Sequence, residues 1–490
     1  MKPLLCVTVT AETTADLRCR CDSVPDADLI ELRLDSVSDP DVAGALAGRR
    51  RPVVVTCRPV WEGGGFRGSE DERRRILGEA LAFGAEYVDV EWRAGFDDVI
   101  ALTGGRRIVL STHDYASMPA DLGASARAMR ATGAEVIKIA GTAHSLRDCV
   151  RLLDFGATHG NQGRMVLIAM GERGLASRVL AGRFGSAWTY AGAISSVGQV
   201  AAATMLEEYR FRSMTESTAV YGVVGSPVAH CVSPAMHNAA FRAAGLDAVY
   251  LPLRAADADD FHTFARAVGL KGASVTIPFK VALGERVDEA CAVARRIGAI
   301  NTIRIVNGRW LGGNTDVNGF LRPLQDRNVP LRGMRAAILG AGGGARAVAI
   351  ALASSGADVR VHARDRARAE QIATIVSAEA GPWPPEPGTW DLLVNCTPIG
   401  MYPDLDRTPV EADALTGRLV YDLVYNPKTT RLLLEAGVAG CQTIGGLEML
   451  VAQAHEQFQW WTDVRPAAGV MRAAAERRLA EFSTDEHDVA

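Results

Sequence analysis

Apolar residues in the first 215 positions cluster into eight short runs: LLCVTVT, DLIELRLD, PVVVTC, YVDVEW, RIVLST, EVIKIA, MVLIAM and WTYAGA. Stretches of helical character such as DERRRILGEALAFGA separate most of them. Near-continuous apolar strands alternating with helices predict a parallel sheet covered on both faces. Eight such units predict a (β/α)8 barrel, whose functional side chains gather where the carboxyl ends of the strands form one mouth. The polar residues obey that geometry. Glu31 and Arg33 close the second run, Arg58 the third, Glu91 the fourth and His113 the fifth; Lys138 lies in the sixth and Met170 closes the seventh.

After RFRSMTEST the pattern restarts at AVYGVVGSP, which places a domain boundary near residue 217. From 218 to about 325, YGVVG, AVYLPL, GASVTI and NTIRIV alternate with helices, and a fresh α/β unit then opens with RAAILGAGGGARAVAIAL. The expected fold class is therefore α/β throughout: a barrel over 1–217, one lobe over 218–325 and a second over 326–445. Residues 476–490, ending STDEHDVA, are polar and expected to fray.

Composition changes this picture little. An apolar share of 48%, with 22% charged and 6% aromatic residues, describes an ordinary globular chain rather than a disordered or fibrous one. A net charge of −4 gives no reason to expect nucleic acid, and the clusters Arg49, Arg50, Arg51 and Arg73, Arg74, Arg75 read as solvated faces. The nine cysteines are scattered without a CxxC pair, as suits a reducing cytoplasm. The opening MKPLLCVTVTAET is too short an apolar run for a signal peptide, and no stretch approaches the roughly 18 apolar residues of a membrane span. His230 and His237 are seven apart with no nearby third ligand, so no metal is expected. Nothing in the pattern specifies an oligomeric state.

Lys138 is the anomaly. Its neighbours Val136, Ile137 and Ile139 call for an apolar environment, where a charge is rarely left without a partner. With an ordinary pKa near 10.4, only about one lysine in a thousand or fewer is neutral at pH 7, and burial shifts the balance toward the free amine. A free amine condenses with a ketone, and the protonated imine loosens a proton on the neighbouring carbon. His113, one strand away in a barrel, has the range to take that proton. Alternatives stay open: the lysine tip can extend to solvent, the histidine can be structural, and the same barrel and lysine also serve Schiff-base aldolases.

ELRLD, TCRPVWEGG, VDVEW, STHDY, VIKIA, AMGERGLASR and SSVGQ, taken in order, resemble the motifs of type I 3-dehydroquinate dehydratases over nearly all of residues 1–215. The resemblance implies Schiff-base formation by Lys138, general acid/base action by His113, and Glu62 of WEGG orienting that histidine. Glu31, Arg33, Arg58, Met170, Arg178, Ser195 and Gln199 would then hold the carboxylate and hydroxyls of 3-dehydroquinate. Glu31 and Glu91 can equally serve as buried partners of arginines.

In the second half, ILGAGGGARAVAI follows an apolar strand and opens an Ala-rich helix, so Gly340, Gly342 and Ala345 fit GxGxxA in its strand-turn-helix context. Ala341, Gly343 and Gly344 complete a turn that faces a pyrophosphate toward the helix amino terminus. The next strand, ADVRVHARDRAR, ends in Arg364 and Arg368 rather than an acidic residue, which favours NADP over NAD, although Asp365 would repel a 2′-phosphate if turned toward it.

GVVGSPVAHCVSPAMHNAAF, SVTIPFK, GAINT, GGNTDVNG, NCTPIGMYP, YDLVYNPKTT and GGLEMLVAQA resemble the ordered motifs of shikimate dehydrogenases over roughly 218–475. The resemblance implies a Rossmann NADP-binding lobe, with residues 446–475 forming helices that return to the substrate cleft. Lys280 and Asp316 would act at the reacting hydroxyl, with Ser233, Thr276, Asn301, Tyr425 and Gln453 on the substrate and Thr397, Leu423 and Gly446 on the cofactor. Two departures stand out. Cys231 occupies the place of a serine that helps hold the substrate carboxylate, and a thiol is a poorer donor; the family's NRT reads Ala363, Arg364, Asp365 here. The implied protein converts 3-dehydroquinate to 3-dehydroshikimate and reduces that to shikimate with NADPH. Rival readings are a second half that prefers quinate or NAD, and a metabolite-sensing regulator without catalysis.

Overall fold

The computed structural model describes residues 2–24 and 26–485. Its contacts divide the chain into two compact units: residues up to Val220 with Ser226–Ala229 and Asp247–Leu270, and the remainder. The first unit contains eight parallel strands, β1 (Leu4–Val9), β2 (Leu29–Arg33), β3 (Val53–Thr56), β4 (Tyr87–Glu91), β5 (Ile108–Asp114), β6 (Val136–Thr142), β7 (Arg164–Met170) and β8 (Trp188–Ala191). They run side by side in the order β7-β6-β5-β4-β3-β2-β1-β8, and every one coincides with an apolar run of the sequence.

Closure between β7 and β8 is made without a regular ladder. Ala187 N donates to Met165 O at 2.8 Å, and the Ser186 hydroxyl accepts from Leu167 N at 3.0 Å, standing in for a backbone carbonyl. Alternate inward positions fill the interior: Cys6, Leu29, Val54, Val109, Val136, Val166 and Trp188 form one buried cluster, the layered packing expected when side chains of period two point into a closed sheet.

Twelve further strands follow among the described residues: β9 (Ala219–Gly225), β10 (Ala248–Arg254), β11 (Gly272–Val275), β12 (Glu289–Ala290), β13 (Thr302–Val306), β14 (Arg309–Gly313), β15 (Arg335–Leu339), β16 (Asp358–His362), β17 (Glu379–Gly381), β18 (Leu392–Asn395), β19 (Leu419–Asp422) and β20 (Gln442–Ile444). In the second unit β9, β11, β13, β14 and β12 lie side by side in that order, with β13 and β14 antiparallel. Asn307 and Gly308, both at positive φ, make the turn of that hairpin, the Asn-Gly signature of a tight β-turn. The last six strands form a parallel sheet in the order β17-β16-β15-β18-β19-β20, the doubly wound arrangement that binds dinucleotides at the carboxyl ends of its central strands.

The tail behaves differently from expectation. Residues 476–485 are not frayed but continue the helix Val470–Asp485, because Met471, Ala475 and Leu479 recur on one face and are buried; the rest of the predicted tail, 486–490, lies outside the described residues. No helix among the described residues is long and apolar enough to cross a membrane.

Candidate active site

Lys138 and His113 stand on neighbouring strands, in the register Ser111↔Lys138 and His113↔Ala140. Residues two apart on a strand share a face, so both side chains enter one cavity of about 150 Å³ at the carboxyl ends of the strands, together with Glu31, Arg33, Arg58, Met170, Arg178 and Gln199. Lys138 is buried, and its Nζ lies 3.1 Å from Asp89 Oδ2 and 3.8 Å from Glu31 Oε1. The Tyr190 ring lies beneath it, 4.2 Å from Nζ to the centroid. The amine therefore belongs to an ion-pair network and not to the purely apolar pocket that its strand neighbours suggest.

Arg58 is the hub of that network. Its guanidinium is 3.1 Å from Asp89 and 3.5 Å from Glu91, and Nη1 lies 2.7 Å from His113 Nδ1. Burial disfavours its charge, but Asp89, Glu91, Glu31 and Glu62 outweigh burial and hold it protonated. Burial likewise pushes Asp89 up, yet Arg58 and Lys138 dominate and keep its carboxyl down at about 2. His113 is pushed well below its ordinary range by burial and by Arg58, Lys138 and Arg33, so it is a neutral imidazole. Glu62 Oε1 accepts from His113 N at 2.9 Å and lies 3.0 Å from Nδ1. Nδ1 thus faces both the Arg58 guanidinium, which can only donate, and the Glu62 carboxylate; in the tautomer whose Nδ1 proton is directed at Glu62, the other ring nitrogen carries a free lone pair.

The substrate-facing arginines differ from one another. Arg33 has its fork filled by Asp35, at 2.8 and 2.7 Å. Arg178 is buried and, among the described residues, donates to the Tyr190 and Val197 carbonyls; burial lowers it to about 10, with only a partial offset from Tyr190 and Glu31. That leaves Arg178 as the cation best placed for an incoming carboxylate. Glu31 accepts from Thr8 and Thr56 hydroxyls, and Gln199 donates to Thr8.

The second unit holds another lysine-centred cluster. Lys280 Nζ lies 2.6 Å from Asp316 Oδ2, at the first turn of the helix Asp316–Asp326. Asn301 Nδ2 donates to Asp316 Oδ1 at 2.8 Å, to Gln453 Oε1 at 3.0 Å and to Thr315 Oγ1 at 3.0 Å. The Cys231 thiol donates to Ser233 Oγ at 3.2 Å and faces the Tyr425 hydroxyl; burial pushes the thiol up, so it is a neutral donor. Thr276 is half-buried on the SVTIPFK segment, its N–H donating to Val224 O at 2.9 Å.

The glycine-rich turn adjoins it. Gly340, at φ +110°, packs against Thr397, while a Cβ on Gly343 would stand 3.6 Å from Lys280 Cδ. The helix Gly343–Ser354 has no side-chain cap at Gly342, and nothing lies within 4 Å of a Cβ placed on Gly342. Uncapped first-turn N–H groups with open room before them fit a pyrophosphate. Ala345 is buried against the sheet, and Leu423 lies 3.8 Å from a Cβ placed on Gly344. Gly446 opens the helix carrying Gln453 and approaches the Leu423 carbonyl so closely that any side chain would collide. Arg364 and Arg368 are exposed. Asp365, itself exposed, caps the helix Arg366–Ile375, accepting from Arg368 N at 3.2 Å, and its other oxygen lies 3.4 Å from Arg368 Nε.

The sequence pattern of type I 3-dehydroquinase matches residues 5–216, that of the shikimate dehydrogenase substrate binding domain residues 223–303, and that of the shikimate 5'-dehydrogenase C-terminal domain residues 446–476. A chloroplastic bifunctional 3-dehydroquinate dehydratase/shikimate dehydrogenase of Arabidopsis thaliana is 34% identical over 472 residues, covering 89% of this chain and 78% of that one. The chain belongs to the bifunctional 3-dehydroquinate dehydratase/shikimate dehydrogenase family. A shikimate dehydrogenase (NADP(+)) of Symbiobacterium thermophilum is 42% identical over 273 residues, covering 52% of this chain and 93% of its own. Among solved structures, a shikimate dehydrogenase in complex with NADP+ superposes with a TM-score of 0.52 at 35% identity, over 54% of this chain and 97% of that one.

Measured against this bifunctional family's motifs, most sequence-predicted residues converge, but Ser195 does not. It is exposed and does not line the barrel cavity, whereas Ser196 does. Arg73, read from its run as part of a solvated face, is fully buried and pairs with Glu91 and Glu70; it shares the helix face of Ile76, Leu77 and Ala80, a period the run RRR conceals. Glu91 accordingly serves buried arginines. Asp89 and Tyr190 were missed. Asp89 sits two residues before Glu91, on the same strand face, and that alternation was the available signal.

Proposed function

We propose that this chain is a bifunctional shikimate-pathway enzyme, a lyase dehydrating 3-dehydroquinate to 3-dehydroshikimate and an oxidoreductase reducing that product to shikimate with NADPH. The observation that carries the proposal is the presence of two lysine-centred sites of different chemistry, Lys138 beside Asp89 and near His113, and Lys280 beside Asp316.

In the first site Lys138, giving up a proton, attacks the ketone of the substrate, whose carboxylate is held by Arg178; the carbinolamine oxygen is protonated and leaves as water, giving the iminium. Lysine ammonium and iminium carry the same charge, so Asp89 and Glu31 are preorganised for the bound state. His113 takes the proton from the carbon next to the iminium; the electrons flow to nitrogen as an enamine. Their return expels the β-hydroxyl, to which His113 delivers its proton, and water then hydrolyses the imine to free Lys138. Glu62 keeps the imidazole oriented through both proton transfers.

In the second site the Gly340–Gly344 turn and Ala345 would hold the dinucleotide, with Thr397, Leu423 and Gly446 as its walls and Arg364 and Arg368 available to a 2′-phosphate. Asp365 being engaged as a helix cap supports NADP. NADPH supplies the hydride. Lys280 gives the accompanying proton to the carbonyl oxygen, and Asp316 holds the ammonium. Ser233, Thr276, Asn301, Tyr425 and Gln453 orient the hydroxyls. Cys231 favours one variant reading, weaker hold on the shikimate carboxylate with some tolerance of quinate, which steady-state rates with both acids decide. The dehydratase is assigned to 1–217, the substrate lobe to 218–325, the NADP lobe to 326–445, and 446–475 to the substrate cleft. Nine unpaired cysteines suit a reducing compartment, and we place the enzyme in the cytoplasm.

Lys138→Ala should abolish dehydration while NADP-linked oxidation of shikimate stays near normal, and Lys280→Ala should do the reverse. Loss of both activities in either variant would contradict two separate sites.

A further inference from the structure

We infer that Asp422 is a positioning residue of the dehydrogenase site, clamping the loop after β18 to the loop after β19 and thereby setting the walls of the cofactor turn. The inference rests on the dehydrogenase reading above.

Asn395 and Asp422 are paired in register at the carboxyl ends of β18 and β19, and both are fully buried. Asp422 Oδ1 accepts from Asn395 Nδ2 at 2.9 Å and from Val424 N at 3.0 Å; Oδ2 accepts from Thr430 Oγ1 at 2.6 Å. Asn395 in turn accepts from Thr397 N at 3.0 Å and Thr397 Oγ1 at 2.7 Å, and donates to Ile399 O at 3.3 Å. One carboxylate therefore fixes the segment of Thr397, the segment of Leu423, and the start of the helix Arg431–Val438.

These segments are the ones that border the glycines. The Thr397 methyl group lies 3.1 Å from a Cβ built on Gly340, and Leu423 lies beside Gly344 and under Gly446. Tyr425, three residues past the clamp, faces the Cys231 thiol. All three donors to Asp422 are neutral, and a buried carboxylate held only by neutral donors is costly; burial pushes it up to about 6 despite them. A plain structural bond between strand ends does not require that cost. A carboxylate accepts all three converging donors on charged oxygens, whereas an amide would turn its NH₂ toward the Thr430 hydroxyl, which would have to become the acceptor, and would lose the charge assistance.

The test compares Asp422→Asn, Thr430→Val and Thr430→Ser in the full chain, reading NADPH affinity by fluorescence without the acid substrate, then KM, kcat and the dehydratase rate. Losing one charge-assisted bond should weaken NADPH binding about tenfold in Asp422→Asn and Thr430→Val, leave Thr430→Ser within about twofold, and leave the dehydratase rate unchanged. Should Asp422→Asn fail to fold, Thr430→Val carries the same comparison. NADPH affinity unchanged in the folded variants, or reduced equally in Thr430→Ser, would overturn the clamp. A wild-type chain that binds NADPH but does not reduce 3-dehydroshikimate would overturn the substrate reading instead, while the affinities still decide the clamp.

Discussion

At Glu62 burial drives the carboxyl up to about 7 against the pull of Arg58, while the imidazole it touches stays neutral throughout. The acid limb of the dehydratase pH profile should therefore report Glu62 and not His113. Falling pH through about 7 protonates Glu62 and removes the acceptor that orients Nδ1, so kcat/KM falls; Glu62→Gln should flatten the limb at a reduced rate. A limb that persists in Glu62→Gln would contradict this. Stability runs the other way. A carboxyl whose folded pKa is raised contributes fully below its unfolded value, near 4.3, and that contribution is lost as pH rises through about 7. Tyr190 offers a second test at this scale. Its ring supports Nζ, whereas its buried hydroxyl, near Glu31, Asp89 and the Trp188 indole, makes no well-formed hydrogen bond among the described residues. Tyr190→Phe should keep activity and stability, and Tyr190→Leu should cost about 3- to 30-fold in kcat, the scale of one cation–π contact. Equal losses in both would assign the role to the hydroxyl. Lys138 was legible because a charge inside an apolar run is anomalous; Asp89, lodged one alternation inside YVDVEW, was hidden by the more visible Glu91 at the strand end.

Among elements, the eight barrel strands were legible because burial on both faces leaves continuous aliphatic runs. β14 escaped because RWLGG has too few β-formers to read as a strand, although Asn307-Gly308 before it was a hairpin signal. The helix over 476–485 escaped because its polar face dominates its composition, while Leu479 and Phe482, the latter edge-on to His230, hold it down. The β7–β8 seam is invisible in sequence, since it depends on one hydroxyl and one backbone bond rather than a ladder. Ser186→Ala leaves Leu167 N without its acceptor and should lower unfolding stability by about 1 kcal/mol, with faster hydrogen exchange at the Leu167 amide. Unchanged exchange there would show that the seam does not rely on Ser186.

For the whole molecule, motif order along the chain revealed two enzymes in series, since each motif carries its own local chemistry. The grouping of Asp247–Leu270 with the residues of the first unit depends on long-range contacts and left no mark in the sequence. The central claim is that one amine, Lys138, forms the covalent bond to substrate while the Lys280 site works independently. Borohydride reduction in the presence of 3-dehydroquinate, followed by peptide mass mapping and a shikimate oxidation assay on the trapped chain, tests it most directly. A single adduct on Lys138 with dehydrogenase activity retained is the predicted result. An adduct elsewhere, or none, would contradict it.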